Sequence, residues 1–230
     1  TTNLTIATAQ GSDGQVLTST GSGVGWEDAS GGASDLDGLS DAKSGGTNFA
    51  SSLIIGHQDT GTLSGASGNT GVGIGAMDAL TSGVNNVAIG QNALSGCNSG
   101  DRNVAIGAGA MDVSTTAQYN IAIGNDALGS LTDGHSNTVI GTNVCAAINS
   151  GDYNVAMGRN TLDGCATGNY NTAIGSTALG AYLGDSNTAV GYEASKLTSS
   201  ATAQTSVGYQ ALSTNLTGAQ NTAVGYQALA

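Results

Sequence analysis

The stretch Asn103-Val104-Ala105-Ile106-Gly107, followed by AGAMDVSTTAQY and then by Asn120-Ile121-Ala122-Ile123-Gly124, decides the fold. The same pentapeptide, N-x-A-I-G and then x-x-A-L, returns along the chain with a period of 17 residues. Anchored on the closing glycine, the copies end at Gly56, Gly75, Gly90, Gly107, Gly124, Gly141, Gly158, Gly175, Gly191, Gly208 and Gly225. Their spacings are 19, 15, 17, 17, 17, 17, 17, 16, 17 and 17. A fixed period marks a repeat architecture, in which each unit buries apolar surface only by stacking on its neighbours. A unit of 17 residues is too short for a helix pair and fits one coil of a β-solenoid, with two short strands and two turns. Residues 51–230 are therefore expected to form an all-β solenoid of about ten coils, roughly 48 Å long at ~4.8 Å per strand.

Counting back from each glycine gives three columns. Three residues before it stand Val87, Val104, Ile121 and Val155 and, further on, Thr172, Thr188, Thr205 and Thr222. One residue before it stand Ile89, Ile106, Ile123, Ile140 and Val190. Residues two apart on a strand share a face. The column between them points the other way and is nearly all tiny, as at Ala88, Ala105, Ala122, Ala156, Ala173 and Ala189. The β-branched face is expected to fill the coil interior, and the Ala face to pack closely against another copy of the chain.

Asn stands four residues before the glycine in eight of eleven copies, among them Asn103, Asn120, Asn154 and Asn171; Ser52, Gly71 and Gln204 are the exceptions. Asn tolerates turn geometry, and in register its amide can bond the amides above and below. The glycines Gly90, Gly107, Gly124, Gly141, Gly158 and Gly175 are read as structural positions needing positive φ or close backbone approach. Pairs such as Ala93-Leu94, Ala127-Leu128 and Ala178-Leu179 supply the opposing wall, with turns such as GDRN, GHSN and GDYN between the walls.

Composition agrees with narrow layers. The 230 residues include 38 Gly, no Pro, 4 % aromatics and only 9 % charged side chains. One compact core would need larger side chains, whereas Ala, Val, Ile and Leu suit thin stacked layers. Net charge is −12, and the four cations Lys43, Arg102, Arg159 and Lys196 lie far apart. Nucleic acid, which needs a basic stripe, is not an expected partner. No apolar run approaches the ~18 residues of a membrane span and no signal-peptide pattern is present, so membrane insertion is not expected.

Residues 1–50 differ from the repeats. TTNLTIATAQ has a strand-like alternation, and GSDGQVLTSTGSGVGWED carries Val16, Leu17, Val24 and Trp26 between Gly/Ser turns. ASGGASDLDGLSDAKSGGTN reads as a Gly/Ser/Asp-rich linker. Its Asp35, Asp37 and Asp41 lack the spacing of a calcium loop.

Catalytic and metal chemistry finds no pattern. Cys97 and Cys165 each follow an anchor glycine by seven residues, and Cys145 takes the place usually held by Leu. Four coils separate the first two by roughly 19 Å, well beyond the ~7 Å that a disulfide spans. All three read as small apolar fillers, and no CxxC or His cluster suggests a metal. His57 and His135 occupy different columns, so no triad is shared between coils. Asp126, Asp133, Asp152, Asp163, Asp185 and Glu193 read as scattered, without the matched carboxylates of a glycosidase. The Gly-rich strings close strands and do not open helices, which excludes the dinucleotide reading. Neither an enzyme nor a cofactor is expected. The Thr column matches the pattern of flat Thr ladders on ice-binding solenoids, but Val and Ile in its earlier coils mark it as interior. Tyr119, Tyr153 and Tyr170 precede the column Asn, while Tyr192, Tyr209 and Tyr226 follow the glycine in three successive coils. Such rings can stack along the axis, and the last three are candidate receptor contacts.

The repeated N-[STV]-A-[IV]-G-x-x-A of residues 51–230 resembles the head repeat of trimeric autotransporter adhesins, the YadA-like head. The resemblance implies a left-handed parallel β-roll, assembled as a homotrimer, that adheres to a host cell-surface glycan or protein. This repeat is longer than the typical head's, and the chain shows neither a heptad stalk nor a C-terminal membrane anchor. GQVLTSTGSGVGWED (residues 14–28) and the NTAVGYQAL-type repeats are similar to modules of bacteriophage tail-fibre proteins, particularly of marine and cyanobacterial phages. Together these resemblances imply a non-catalytic segment of a virion tail fibre used in host attachment. The alternative is a head domain of a bacterial cell-surface adhesin or another extracellular filament.

Overall fold

A computed structural model describes residues 15–19, 24–28, 42–44, 49–56, 63–164, 166–181, 184–197 and 202–230. TTNLTIATAQ, Asp35, Asp37, Asp41, His57 and Cys165 lie outside the described residues. Contacts divide the chain into two units, Thr1–Ser40 and Asp41–Ala230. In the first, β1 (Gln15–Ser19) and β2 (Val24–Asp28) form an antiparallel hairpin, with Gln15 opposite Asp28 and Ser19 opposite Val24. The second unit begins inside the stretch read as linker, where β3 (Ala42–Ser44) is a strand, and β4 (Phe49–Ala50) follows directly after that stretch.

The second unit is a parallel β-solenoid. Its strands are β5 (Leu53–Ile55), β7 (Thr70–Val72), β8 (Val87–Ile89), β9 (Val104–Ile106), β10 (Ile121–Ile123), β11 (Thr138–Ile140), β12 (Val155–Met157), β13 (Thr172–Ile174), β14 (Thr188–Val190), β15 (Thr205–Val207) and β16 (Thr222–Val224). With β3 they make one twelve-stranded sheet ordered as in the sequence. Every neighbouring pair is parallel except β3, which lies antiparallel on β5 and forms the N-terminal edge of the sheet. An edge strand as short as β3 limits uncontrolled strand addition. A small parallel sheet joins β4 to β6 (Ala66–Ser67).

Three expectations change. First, each described coil contributes one three-residue strand to this sheet, and the facing wall is made of turns where a second strand was expected. Second, the coil before Gly90 is anchored on Gly73, since Thr70 pairs with both Leu53 and Val87. The spacings of 19 and 15 become 17 and 17, and one 16-residue step remains, from Gly175 to Gly191.

Third, the sheet is inside out relative to the expectation. Ala88, Ala105, Ala122, Ala156, Ala173 and Ala189 are completely buried, whereas Val72 is 39 % and Ile89 41 % exposed. The Ala column is therefore the interior, and the β-branched columns face outward. The turn wall supplies the reason. It turns two consecutive residues inward, as at Ala127 and Leu128, and adds Leu131 from the following turn, all fully buried. An extended strand alternates sides and cannot do this; left-handed φ values of 52° at Asp126 and 53° at Leu128 make it feasible. Leu94, Met111, Leu128, Leu162 and Leu179 then stack through the interior, each contributing ~1.5–3 kcal/mol by burial. Only a methyl group fits opposite them.

Hydrogen bonds join successive coils along both walls. Val104 N–H donates to the Asn120 carbonyl at 2.8 Å on the strand wall, and Leu128 N–H to the Val144 carbonyl at 3.1 Å on the turn wall. The backbone of a chain with so little conventional core is thereby paired. The anchor glycines serve this close stacking. Gly90 has φ of 133°, and a Cβ there would stand 2.6 Å from the Gly107 carbonyl carbon and oxygen. Gly107, Gly124, Gly141, Gly158 and Gly175 repeat the conformation, with φ between 129° and 136°.

Candidate functional site: the ladders and the outward sheet face

The most regular side-chain array is buried. Asn137 donates its backbone N–H and its Nδ2 to Asn120 Oδ1 at 2.9 and 3.0 Å, and Nδ2 also reaches the Gly151 carbonyl at 2.8 Å. Asn103 and Asn120 repeat the pattern on the amides preceding them, and the backbone N–H groups of Asn154 and Asn171 continue it. Asn69 belongs to the ladder where Gly71 was placed, and Ser52 Oγ accepts from its backbone N–H at 2.9 Å. Gln204 extends the series by donating its backbone N–H to Asn187 Oδ1. Each amide thus meets its donors and acceptors inside the fold, and a chain of such bonds reinforces itself where water is excluded. These positions hold the register of the stack.

A second ladder runs outside, through residues the sequence had left scattered. Asp101, Gln118, His135, Asp152, Asn169 and Asp185 occupy one column, six residues before successive glycines. His135 N–H donates to Asp152 Oδ1 at 2.7 Å, Asp152 N–H to Asn169 Oδ1 at 2.9 Å, and Asn169 N–H to Asp185 Oδ1 at 2.7 Å. His135 Nδ1 accepts from Gln118 N–H at 3.2 Å. The expectation that Asp152 and Asp185 share no column is therefore corrected. Their shared spacing, six residues before the anchor glycines Gly158 and Gly191, is the signal in the sequence that reveals it. Their carboxylates tie off turn amides, and the arrangement offers no pair facing across a groove.

Tyrosines form two exposed stacks. The Tyr153 and Tyr170 rings are parallel within 1°, with centroids 5.2 Å apart. Tyr192, Tyr209 and Tyr226 form a three-ring stack, with centroids 5.3 and 5.2 Å apart. Tyr119 lies in the column of Tyr153 and Tyr170 but is separated from them by Ser136; it receives Arg102, whose Nη1 donates to the hydroxyl at 2.9 Å and whose guanidinium lies 5.2 Å from the ring centroid. Beside the three-ring stack runs a polar string. Lys196 Nζ and Gln210 Nε2 both donate to Glu193 at 2.8 Å, and Gln227 Nε2 donates to Gln210 Oε1 at 3.0 Å. Donation from Lys196 and then Gln210 holds the Glu193 carboxyl below its ordinary value, and its carboxylate in turn raises Lys196. A hydrogen bond to Glu193 is the main cause that raises Tyr192.

Between the two Tyr columns lies the outward sheet face. It carries Val104, Ile106, Ile121, Ile123 and Val155 in the middle coils and Thr172, Thr188, Thr205 and Thr222 beside Ile174, Val190, Val207 and Val224 in the later ones. Every one of these side chains is half-buried or exposed.

Cys97 and Cys145 are buried and not in disulfides. Burial pushes the Cys97 thiol up to about 11, the direction that leaves a cysteine unreactive. Burial also raises Asp163, against a hydrogen bond from the backbone of Ala146. Among the described residues no group of three or more His, Cys, Asp or Glu side chains is placed to hold a metal ion, and no helix is long and apolar enough to cross a membrane. No family model, no curated protein and no solved structure matches this chain.

Proposed function

We propose that this chain is a non-catalytic segment of a homotrimeric fibre, a left-handed β-roll that serves in host attachment. By resemblance of the repeats and of residues 14–28, the fibre is the tail fibre of a phage virion. The observation that carries the reading is the outward sheet face, a continuous band of Val, Ile and Thr along the solenoid. Soluble monomers seldom leave apolar patches of that extent uncovered. A second and third copy of the same chain match the band coil for coil, because the repeat sets the same axial spacing in each. The interface on this reading is the β-branched face; the Ala column is interior and cannot serve. Net charge of −12 keeps such rods apart from one another.

Light scattering of the purified chain tests the assembly. A particle of three chain masses is expected, and a stable monomer would overturn it. The virion assignment is tested by the flanking reading frame: a particle-attachment segment upstream supports it. A secretion signal with a membrane β-barrel anchor would make the protein a bacterial surface adhesin instead.

One further observation favours a second reading. Thr172, Thr188, Thr205 and Thr222, which the sequence pattern marks as interior, face outward at the spacing of the strands. A flat Thr/Val lattice on a monomer would suit ordered water, and thermal hysteresis of the monomeric chain would favour ice binding over assembly.

A further inference from the structure

We infer that Tyr192, Tyr209 and Tyr226, with Glu193, Gln210 and Gln227, form a binding track for a neutral, unbranched glycan lying along the solenoid axis. The inference rests on the attachment reading and names the partner class that reading leaves open.

The fold does not require tyrosine at these positions. The residue after the anchor glycine is Gln91, Ala108, Asn125, Thr142, Arg159 and Ser176 in the preceding coils. Backbone geometry there is the same, so the aromatic run belongs to the last three coils alone. The rings are 46 %, 42 % and 73 % exposed, although each touches its neighbour in the stack. Parallel rings in contact lie about 3.5 Å apart plane to plane, yet these centroids are 5.2–5.3 Å apart. The rings follow one another as steps, one per coil, and part of each stays open to solvent. A sugar ring presents an apolar C–H face that packs on such a step, as other apolar surfaces do on aromatic faces.

Polar groups run alongside at the same period. Glu193, Gln210 and Gln227 each stand one residue after a tyrosine and are linked side chain to side chain. Carboxylate and amide oxygens accept from sugar hydroxyls, and amide N–H groups donate to them. One aromatic step and one polar group per coil recur at a spacing close to the length of one sugar residue in an extended glycan. Charge selects against polyanions: the chain carries −12, and Lys196, the cation of this string, is already engaged with Glu193. The Tyr153–Tyr170 stack, whose flanking column is the turn ladder of Asp152 and Asn169, lacks this string.

The test is calorimetric titration of the full chain with cellohexaose and, separately, with the hexamer of N-acetylglucosamine. Saturable binding of at least one is expected. Tyr209→Ala should weaken it about tenfold, as loss of one aromatic contact implies, while Tyr209→Phe keeps it and Tyr153→Ala leaves it unchanged. If Tyr209→Ala does not fold, Gln210→Ala with Gln227→Ala serves, with circular dichroism confirming the fold. Absence of saturable binding to both hexamers, or equal binding by wild type and Tyr209→Ala, overturns the inference. Those outcomes leave the trimer and the virion assignment standing, since light scattering and the reading frame decide these separately.

Discussion

The two walls of the solenoid solve the same stacking problem differently. On the strand wall, residues alternate sides, so one small column points in and two β-branched columns point out. On the turn wall, left-handed residues send neighbouring side chains inward together, as with Ala127 and Leu128. Both walls are joined coil to coil by backbone hydrogen bonds. The interior is filled from the turn wall, and the strand wall accepts what room is left. A wall rich in β-branched residues is therefore no sign of a core.

That contrast is most exposed at Leu128. Leu128→Ala removes the main filler of its layer and should cost ~2–5 kcal/mol, read as a lower midpoint in denaturant titration. A loss below 1 kcal/mol, on the order of a surface change, would mean the turn wall does not fill the core. Next comes Gly90→Ala, at the junction of the walls. Its positive φ costs ~1–3 kcal/mol of strain, and the close approach to Gly107 adds an overpacking penalty. An unchanged thermal midpoint would show that the coils stack less tightly than the geometry requires.

The strand wall is tested by a neighbouring pair. Ala122→Leu points inward and should destabilise by ~1–3 kcal/mol. Ile123→Thr points outward and should alter the stability of the single chain by about 0.5 kcal/mol or less. Melting both at two protein concentrations separates the effects, because association makes the midpoint concentration-dependent and loss of an intermolecular contact changes that dependence. The reverse ranking would restore the Ala column as the outer face. A small effect of opposite sign is expected at Ser114, a buried position in the column of Leu80, Cys97, Leu131 and Ile148. Its Oγ has no hydrogen-bond partner. Ser114→Ala should stabilise by ~1 kcal/mol, since an unpaired buried hydroxyl is costly; destabilisation would show that the hydroxyl is satisfied in solution.

Much of this was legible beforehand. The Asn column and the anchor glycines declared themselves by period, and the structure gives each a bond or a φ that accounts for it. At residues 70–75, TGVGIG offers three alternating glycines, and local pattern alone favours the one after Ile74 as the anchor. Pairing of Thr70 with Leu53 and Val87 decides for Gly73. The outer ladder of Asp152, Asn169 and Asp185 was missed because its members differ in chemistry. What they share is an oxygen at the right height to accept a turn amide.

By itself the sequence determined the solenoid, its period and which residues share a face, because a strand's two-residue alternation is a local property of the backbone. It could not determine which face is inside. Alternation is symmetric about the strand, and either side can be the core until something across the coil claims the space. Only the tertiary structure decided that, through the turn wall, whose left-handed residues deliver Leu and Met into the interior and leave the facing strands room for alanine; where Cys145 replaces Leu, the buried Val139 takes the room.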